Sequence, residues 1–376
     1  MGLDFGQAYS GLHVKESHMS VSVPRLVGLG LAVSALAVSL VACGSDDGGS
    51  GSGSKSGGKK IALLLPESKT TRYEALDRPL FTEALKAACA DCELIYSNAD
   101  QDPAKQQQQA EAALTQGANV LVLDPVDGKA AAAVVASAKG QSVPVIAYDR
   151  FIEGANYYVS FENEAVGKLQ AQTLVDTLKA AGKTSGNLAM INGSPTDPNA
   201  ADFKKGAHSV LDSSGFKIAA EFDTPDWSPD KAQAWMEGQL SAIKNGLVGV
   251  YAANDGTAGG AIAALKGGGV TPLPPVTGQD SELAAIQRIV SGDQAMTIYK
   301  AVKPQAEAAA KAAVALAGGG KAESTGDFKG VPSTILDPVA VTKANIKDTV
   351  VKDGIYKVTD ICTASFQAAC TAAGLS

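Results

Sequence analysis

From Lys59 onward, short apolar runs of strand length alternate with longer stretches that have helical spacing and good helix formers. One such stretch, PAKQQQQAEAALTQG, has Pro103 in its first turn and Gly117 at its end, as helices typically do. Apolar strands separated by helices predict parallel sheets that are covered by helices on both faces. The strand-length runs are IALLL (61–65), ELIYS (93–97), NVLVL (119–123), PVIAY (144–148), NLAMI (187–191), FKIAAEF (216–222), VGVYAA (248–253), PVTG (275–278) and MTIY (296–299).

The number of these strands predicts an α/β protein with two doubly wound domains, and a chain of 376 residues is long enough for both. We interpret the segment from Tyr157 to Glu162 as the first crossing between the domains, because the helical stretch NEAVGKLQAQTLVDTLKAAG follows it. The alternative is that this segment is a fifth strand of one large sheet.

The N-terminal part of the chain has the features of an export signal, although residues 1–18 carry no signal-like pattern and Met19 would be a more ordinary start. Arg25 precedes an apolar run from Leu26 to Ala42, which is short for a membrane-spanning helix and is followed at once by GSDDGGSGSGSKSGG. The sequence LVAC that ends at Cys43 resembles a bacterial lipobox, in which the cysteine receives lipid after cleavage. We therefore predict an N-terminal extension and lipoprotein signal peptide over residues 1–43, lipidation at Cys43 and a Gly/Ser linker over residues 44–58; a plain signal peptide is the alternative.

The other four cysteines agree with export, because an even number of cysteines suits a compartment that permits disulfides. Three pairings are open, and the sequence favours the local one, which joins Cys89 to Cys92 and Cys362 to Cys370. A thioredoxin-type motif at Cys89 is the rival interpretation, but it would open a helix, whereas CADC follows one. No histidine lies near these cysteines to complete a zinc site.

The acidic balance of the chain argues against nucleic acid as a partner. The formal net charge is -7 and the pI is about 5.1, and no cluster of Lys and Arg could displace the counterions of a phosphate backbone.

Polar residues follow almost every predicted strand, where open parallel sheets form their ligand crevice, although single Asp or Asn residues there also serve as helix caps. Asp149 and Arg150 follow PVIAY, and we expect them to neutralise each other while they present an acceptor and a donor. A structural salt bridge is the alternative.

Tyr73 and Trp227 offer flat faces that could pack against the apolar face of a ring. We expect Trp227 on an exposed rim because PDWSPD surrounds it with loop residues; core packing is the alternative. Together these groups are suited to a neutral polyhydroxylated ring.

Seven segments carry a family resemblance: AYDR, SFENEAVGKLQAQ, NGSPTDPNA, ANDGTAGGAI, TGQDSELAAIQRI, MTIYK and IKDTVVKDG. They resemble the corresponding segments of periplasmic D-xylose-binding proteins and their multiple-sugar-binding relatives, from about Lys59 to Lys357. These proteins are the substrate-binding subunits of ABC-type sugar importers. The resemblance implies the type I periplasmic binding protein fold, with two Rossmann-like domains joined by three hinge strands that close on a monosaccharide. It also implies a monomer that delivers the sugar to a permease, without catalytic residues, cofactor or metal.

The resemblance also implies roles for particular residues. The sugar-binding residues would be Arg72, Tyr73, Asp149, Arg150, Asn199, Trp227, Asn254, Asp280 and Lys300. The first lobe would comprise residues 59–161 and 301–336, and the second lobe residues 162–300 and 337–376. The hinges would lie near Ser160 to Glu162, Lys300 to Val302 and Ile335 to Asp337. D-Xylose, L-arabinose, D-glucose and D-galactose all remain open as the ligand.

Three other classes of function are weighed against this one. An exported glycosidase would need paired carboxylates, and a Ser-His-Asp hydrolase is poorly supported because removal of the signal leaves only His208. A LacI-type repressor would have a helix-turn-helix where this chain has a signal and a linker. A sugar sensor for a signalling receptor would use the same binding site as a transport protein.

Overall fold

The computed structural model describes residues 58–375. The predicted signal, the lipidation site Cys43 and all of the predicted linker except residue 58 lie outside the described residues. Within residues 58–375, no helix combines the length and the apolar character needed to span a membrane.

The larger of the two main sheets has seven strands: β1 (Lys60–Leu65), β2 (Glu93–Asn98), β3 (Val120–Leu123), β4 (Val145–Tyr148), β5 (Tyr157–Phe161), β10 (Gly326–Phe328) and β11 (Val331–Leu336). Their order across the sheet is β10-β11-β5-β4-β3-β1-β2. All neighbours pair in parallel except β10, which is antiparallel to β11. β5 is therefore the fifth strand of this sheet, and the chain leaves the sheet directly after it.

The second sheet consists of β6 (Asn187–Asn192), β7 (Lys217–Asp223) and β8 (Leu247–Ala252), in the parallel order β7-β6-β8. A separate antiparallel pair is formed by β9 (Thr297–Tyr299) and β12 (Val339–Val341). The predicted strand PVTG at 275–278 is wrong, because its only strand-like pairing is a single bridge from Val276 to Val250. A second bridge, from Gln279 to Ile298, links this segment to β9.

Eleven helices connect or cover these strands: α1 (Arg78–Ala88), α2 (Pro103–Thr115), α3 (Ala131–Gly140), α4 (Asn163–Ala180), α5 (Pro198–Leu211), α6 (Pro229–Ile243), α7 (Asp255–Gly267), α8 (Leu283–Ser291), α9 (Val302–Ala317), α10 (Val358–Ile361) and α11 (Gln367–Ala372) within residues 58–375. Prolines stand in the first turn of α1, α2, α5 and α6, where the missing N–H costs nothing. Asp102, Asp197 and Asn254 cap α2, α5 and α7 with side-chain oxygens.

Both faces of the larger sheet are covered, as the apolar runs predict. Ile61, Leu63 and Leu65 of β1 pack with α1 and with alanines of α9, whereas Ala62 and Leu64 pack with α2 and α3. This alternation follows from the two-residue repeat of a strand. We call this sheet with α1, α2, α3 and α9 the first half, and the remaining described strands and helices the second half. The chain passes between the halves three times, after β5, after β9 and after β11.

The C-terminal residues 342–375 cover the outer face of α8. Ile346, Val350 and Ile361 share a buried core with Ile286 and Ile289 of α8. A disulfide joins Cys362 to Cys370, and a second joins Cys89 to Cys92, which is the local pairing that the sequence favours. The segment DICTASFQAAC is therefore packed into the second half rather than extended from it.

Helices α4 and α5 approach closely because each has a glycine at the contact. A Cβ added to Gly167 of α4 would lie 1.9 Å from the carbonyl oxygen of Phe203 in α5. A Cβ added to Gly206 of α5 would lie 2.0 Å from the carbonyl oxygen of Glu164 in α4. Both distances are far below a van der Waals contact, so the two helices would have to separate to admit a methyl group.

We expect Gly167→Ala to lower the free energy of unfolding by about 1–3 kcal/mol, because overpacking outweighs the better helix propensity of alanine. Urea unfolding of the chain from Lys59 onward measures this change. Gly238→Ala is the matched control: Gly238 lies in α6 with no atom within 4 Å of an added Cβ, and the substitution should stabilise by about 0.5–1 kcal/mol. Stabilisation by both substitutions would contradict the proposed close approach.

Candidate ligand-binding site

An internal cavity lies where the carboxyl ends of the strands of the two halves meet. Every residue that lines it is at most 5% exposed, so the cavity is closed to solvent. The lining residues are Thr70, Tyr73, Asp149 and Arg150 from the first half and Asp197, Asn199, Phe203, Trp227, Asn254, Gln279, Asp280 and Lys300 from the second half.

The structure brings the predicted site residues together. Eight of the nine line the cavity, and Arg72 is buried directly behind it, with its guanidinium within 3.6 Å of Asp149 and 3.3 Å of Asp280. Arg72 is therefore placed to orient these carboxylates rather than to line the cavity itself.

Three lining residues have a left-handed backbone, which non-glycine residues rarely adopt. The φ angles are 58° at Asp149, 53° at Trp227 and 90° at Asp280. Strained backbone of this kind concentrates at functional sites, where the surrounding structure holds it in place. At these three positions the left-handed backbone fixes the direction in which the side chain leaves its turn.

Arg72 is held by a carboxylate from behind. Its guanidinium donates two hydrogen bonds to Asp77, at 2.9 and 2.7 Å, and one to Gln305, at 3.2 Å. The hydroxyl of Tyr148 also donates to Asp77, at 2.7 Å. This two-point contact fixes the plane of the guanidinium and leaves Nη1 to face Asp149 and Asp280.

Lys300 completes this cluster of charges. Its Nζ lies 3.1 Å from Asp280 Oδ1 and 3.7 Å from Asp149 Oδ1. Burial opposes ionisation of Asp149, but the positive charges of Arg72 and Lys300 outweigh it and hold the pKa of Asp149 at about 2. Asp149 is therefore an ionised acceptor at neutral pH.

Arg150 does not pair with Asp149, and the expectation that the two neighbours neutralise each other is wrong. Arg150 Nε lies 2.9 Å from Asp197 and 3.5 Å from Asp124, whereas none of the ion pairs within residues 58–375 joins it to Asp149. The left-handed turn at Asp149 sends the two side chains to different partners. Arg150 Nη2 also donates to the hydroxyl of Tyr73, at 3.2 Å.

Two further carboxylates contact Arg150 and were not among the predicted site residues: Asp197, which lines the cavity, and Asp124, which does not. Asp197 lies in the motif NGSPTDPNA; it accepts hydrogen bonds from Trp227 Nε1 at 3.0 Å and from the backbone of Asn199 at 2.8 Å. Asp124 follows β3, and neither of its side-chain oxygens has a hydrogen bond within the described part of the chain. Burial raises the pKa of both carboxyls, more strongly for Asp124.

Aromatic rings form part of the cavity wall. Trp227 is 4% exposed, so the expectation of an exposed rim position is wrong. Its ring packs edge-on against Phe203, with centroids 6.4 Å apart, and its far edge lies against Gly193, where a Cβ would meet it at 2.0 Å. Phe203 lies in the middle of α5, where its sequence pattern matches that of an ordinary core residue.

Other reactive groups lie outside this cavity. The ring nitrogens of His208 contact Asp212 and Glu221 on the exposed side of α5. Cys89, Asp91 and Cys92 are the one cluster in residues 58–375 with the proximity of metal ligands, but the two sulfurs are bonded to each other.

Several hydrogen bonds close the cavity by joining the halves directly. The side-chain amide of Asn199 donates to the carbonyl of Asp149 at 3.0 Å, and the backbone N–H of Thr71 donates to Glu282 Oε1 at 2.9 Å. At the mouth, the side-chain amide of Gln101 donates to the carbonyl of Asp226 at 3.1 Å. With the ion pairs Arg72–Asp280 and Arg150–Asp197, these contacts describe a closed conformation.

Known proteins resemble the chain over nearly all of its described length. A family model described as a periplasmic binding protein domain matches residues 61–321. The D-xylose-binding periplasmic protein of Haemophilus influenzae is 39% identical over 79% of this chain and 90% of that protein. The multiple sugar-binding periplasmic receptor ChvE of Rhizobium radiobacter is 35% identical over 79% of this chain and 90% of that protein.

A solved structure has the same fold. The solute-binding protein of an ABC transporter from Clostridium phytofermentans, with bound β-D-glucose, superposes with a TM-score of 0.75 at 28% identity. The similarity covers 81% of this chain and all of that chain.

We expect Asp149→Asn to lower the free energy of unfolding by about 3 kcal/mol, because it leaves the buried charges of Arg72 and Lys300 short of a partner. The pKa of Asp149 is lower in the folded than in the unfolded protein. Ionised Asp149 therefore contributes to the free energy of unfolding above about pH 4, and this contribution is lost as the pH falls through about 2. Urea unfolding without added sugar, at pH 7 and at pH 3, measures it. Asp176→Asn, on the exposed face of α4, is the control and should change stability by less than about 0.5 kcal/mol. Equal effects of the two substitutions would contradict the role assigned to Asp149.

Proposed function

The chain belongs to the periplasmic binding protein family, and on that premise we propose that it is an extracytoplasmic solute-binding protein for a monosaccharide. It captures D-xylose or a related aldopentose or aldohexose between its two halves and delivers the sugar to the permease of an ABC-type importer. Membership of a family of binding proteins agrees with the prediction that the chain is not an enzyme.

The closed cavity, with groups from both halves, is the observation that carries this proposal. Asp149, Asp197 and Asp280 offer acceptors for sugar hydroxyl groups, and Arg150 and Lys300 offer donors for hydroxyl and ring oxygens. Asn199, Asn254 and Gln279 can both donate and accept. The rings of Tyr73, Phe203 and Trp227 supply flat apolar surface for the C–H face of a pyranose.

The enclosure of the cavity favours a small ligand over an extended one. An oligosaccharide would need an opening to solvent, whereas every lining residue is buried. The names of the relatives support pentoses and hexoses alike, since one is described as D-xylose-binding and a solved structure contains β-D-glucose.

Closure is the proposed mechanism of capture. A ligand that touches both halves binds the closed state better, so it shifts the equilibrium between open and closed states by its difference in affinity for the two. The proposed lobes are residues 59–161 with 301–336 and residues 162–300 with 337–376. Their proposed hinges, near Ser160 to Glu162, Lys300 to Val302 and Ile335 to Asp337, lie where the chain passes between the halves. The permease would recognise the closed conformation of the monomer.

We also propose that the protein is held at the membrane only by a lipid at Cys43. The support is in the sequence, where the lipobox-like LVAC is followed directly by a Gly/Ser-rich linker. A linker of this composition would let the binding domain reach its permease while it stays tethered.

We expect D-xylose, or one of L-arabinose, D-ribose, D-glucose and D-galactose, to raise the melting temperature of the chain from Lys59 onward. A ligand that binds only the folded state stabilises it by about 2.7 kcal/mol at one hundred times its dissociation constant. Thermal unfolding with this panel identifies the sugar, and amino acids and glycerol serve as controls. If none of the sugars shifts the transition while an amino acid does, the proposed ligand class is wrong.

We expect the same sugar to change the tryptophan fluorescence through Trp227 alone. The chain has two tryptophans: Trp227 lines the cavity, whereas Trp235 stacks on Phe222 at 5.3 Å outside it. Trp227→Phe should abolish the signal and weaken binding about tenfold, which is about 1.4 kcal/mol of lost ring contact. Trp235→Phe is the matched control and should keep both signal and affinity. Loss of the signal in Trp235→Phe instead would place the sugar elsewhere.

A further inference from the structure

Glu282 of the second half reaches across the cleft to the first half. It precedes α8, and its Oε1 accepts a hydrogen bond from the backbone N–H of Thr71 at 2.9 Å. Thr71 opens the turn that carries Arg72 and Tyr73, and Tyr73 lines the cavity. A carboxylate from one half thus holds the backbone of the other half at the segment that presents a site residue.

This carboxyl group is buried without a counterion. Glu282 is 6% exposed, and it takes part in none of the ion pairs found within residues 58–375. The charged and titratable groups that face it are mostly acidic or engaged elsewhere. Two are acids: Asp280, which pairs with Lys300 and Arg72, and Asp255, which accepts a hydrogen bond from the backbone N–H of Glu282. The cation Arg288 donates its hydrogen bonds to the carbonyl of Asp255 and to Gln294. Tyr356 of the C-terminal segment is the fourth group.

We propose that Glu282 is a positioning residue that latches the two halves together in the closed state and takes up a proton as they close. This inference rests on the proposed function, because it needs an open state in which the cleft admits sugar. In that state Glu282 separates from Thr71 and faces water, where its ionised form is well solvated. In the closed state the same group is enclosed beside Asp280, which favours its neutral form.

The direction of the pH effect follows from this difference. Burial, and then the negative charge of Asp280, raise the pKa of Glu282 to about 7 in the closed state. In the open state the pKa falls back toward the usual value of about 4.3. Closure is therefore favoured at low pH. The free energy that protonation of Glu282 contributes to closure is fully present below about pH 4 and is lost as the pH rises through about 7. Sugar affinity should rise about tenfold from pH 8 to pH 6.

Calorimetric titration with D-xylose at pH 6, 7 and 8 tests the latch. At pH 7, in buffers that differ in ionisation enthalpy, the wild-type protein should take up about half a proton per bound sugar. Glu282→Gln keeps an acceptor for the N–H of Thr71 but cannot titrate, so its affinity should be independent of pH and its proton uptake should vanish. Glu282→Ala removes the acceptor as well, and should weaken binding several-fold relative to Glu282→Gln at each pH.

Two control variants separate the latch from other titrations. His208→Gln removes the surface histidine of α5, whose partial burial is outweighed by hydrogen bonds to Asp212 and Glu221 that raise its pKa, and Glu237→Gln removes an exposed carboxylate of α6. Both should keep the wild-type pH dependence and proton uptake. A wild-type affinity that does not change with pH, or a pH dependence that survives in Glu282→Gln, would overturn the latch.

The failure of the proposed function would look different. If no sugar of the panel binds, X-ray scattering of the ligand-free chain still reports the equilibrium between open and closed states. The wild-type protein should then be more compact at pH 6 than at pH 8, and Glu282→Gln should show no change. Equal scattering of the wild-type protein at both pH values would overturn the latch even without a sugar.

Discussion

Two buried arginines, Arg72 and Arg150, each contact carboxylates from both halves of the molecule, and the binding site depends on this arrangement. With Lys300 they are three cations among five carboxylates: Asp77, Asp124, Asp149, Asp197 and Asp280. The carboxylates outnumber the cations, and their pKa values are shifted in opposite directions. Burial raises the pKa of Asp124 and Asp197, whereas Arg72 and Lys300 keep Asp149 ionised. Such a cavity presents charged acceptors and charged donors side by side, so it suits a neutral ligand rich in hydroxyl groups, which can both donate and accept.

The fold supplies these charges from elements that are rigid and distant in sequence. Asp149, Asn254 and Lys300 each stand at the end of a strand or at the start of a helix, where parallel strands direct their carboxyl ends toward one crevice. Gly193 makes room for the indole of Trp227, and the positive φ angles of Asp149 and Asp280 turn their side chains inward. Backbone hydrogen bonds to neighbouring strands hold both turns: the N–H of Asp149 donates to Val159 at 2.9 Å, and the N–H of Asp280 donates to Ile298 at 2.9 Å.

Much of this site is predictable from sequence because strand ends are easy to find in apolar runs. The same reasoning fails where contact depends on direction: Asp149 and Arg150 are adjacent in the chain, yet Arg150 binds Asp197 and Asp124. In the sequence, Asp124 cannot be told from an ordinary turn residue, and Phe203 cannot be told from an ordinary core residue of a helix. Their positions next to the cavity become visible only when the two halves pack together. Trp227 is surrounded by polar loop residues in sequence, but those loops fold over the cavity and bury it.

The ion pairs between the halves raise the question of why the closed state would need a ligand at all. Buried ion pairs contribute little net stability, since the attraction of the charges is offset by their loss of hydration. Arg72–Asp280 and Arg150–Asp197 therefore specify how the halves meet more than they drive them together. Glu282, which has no counterion within residues 58–375, makes closure still less favourable when it is ionised. A sugar that contacts both halves would add hydrogen bonds that exist only in the closed state, so on the proposed function its binding shifts the equilibrium toward closure.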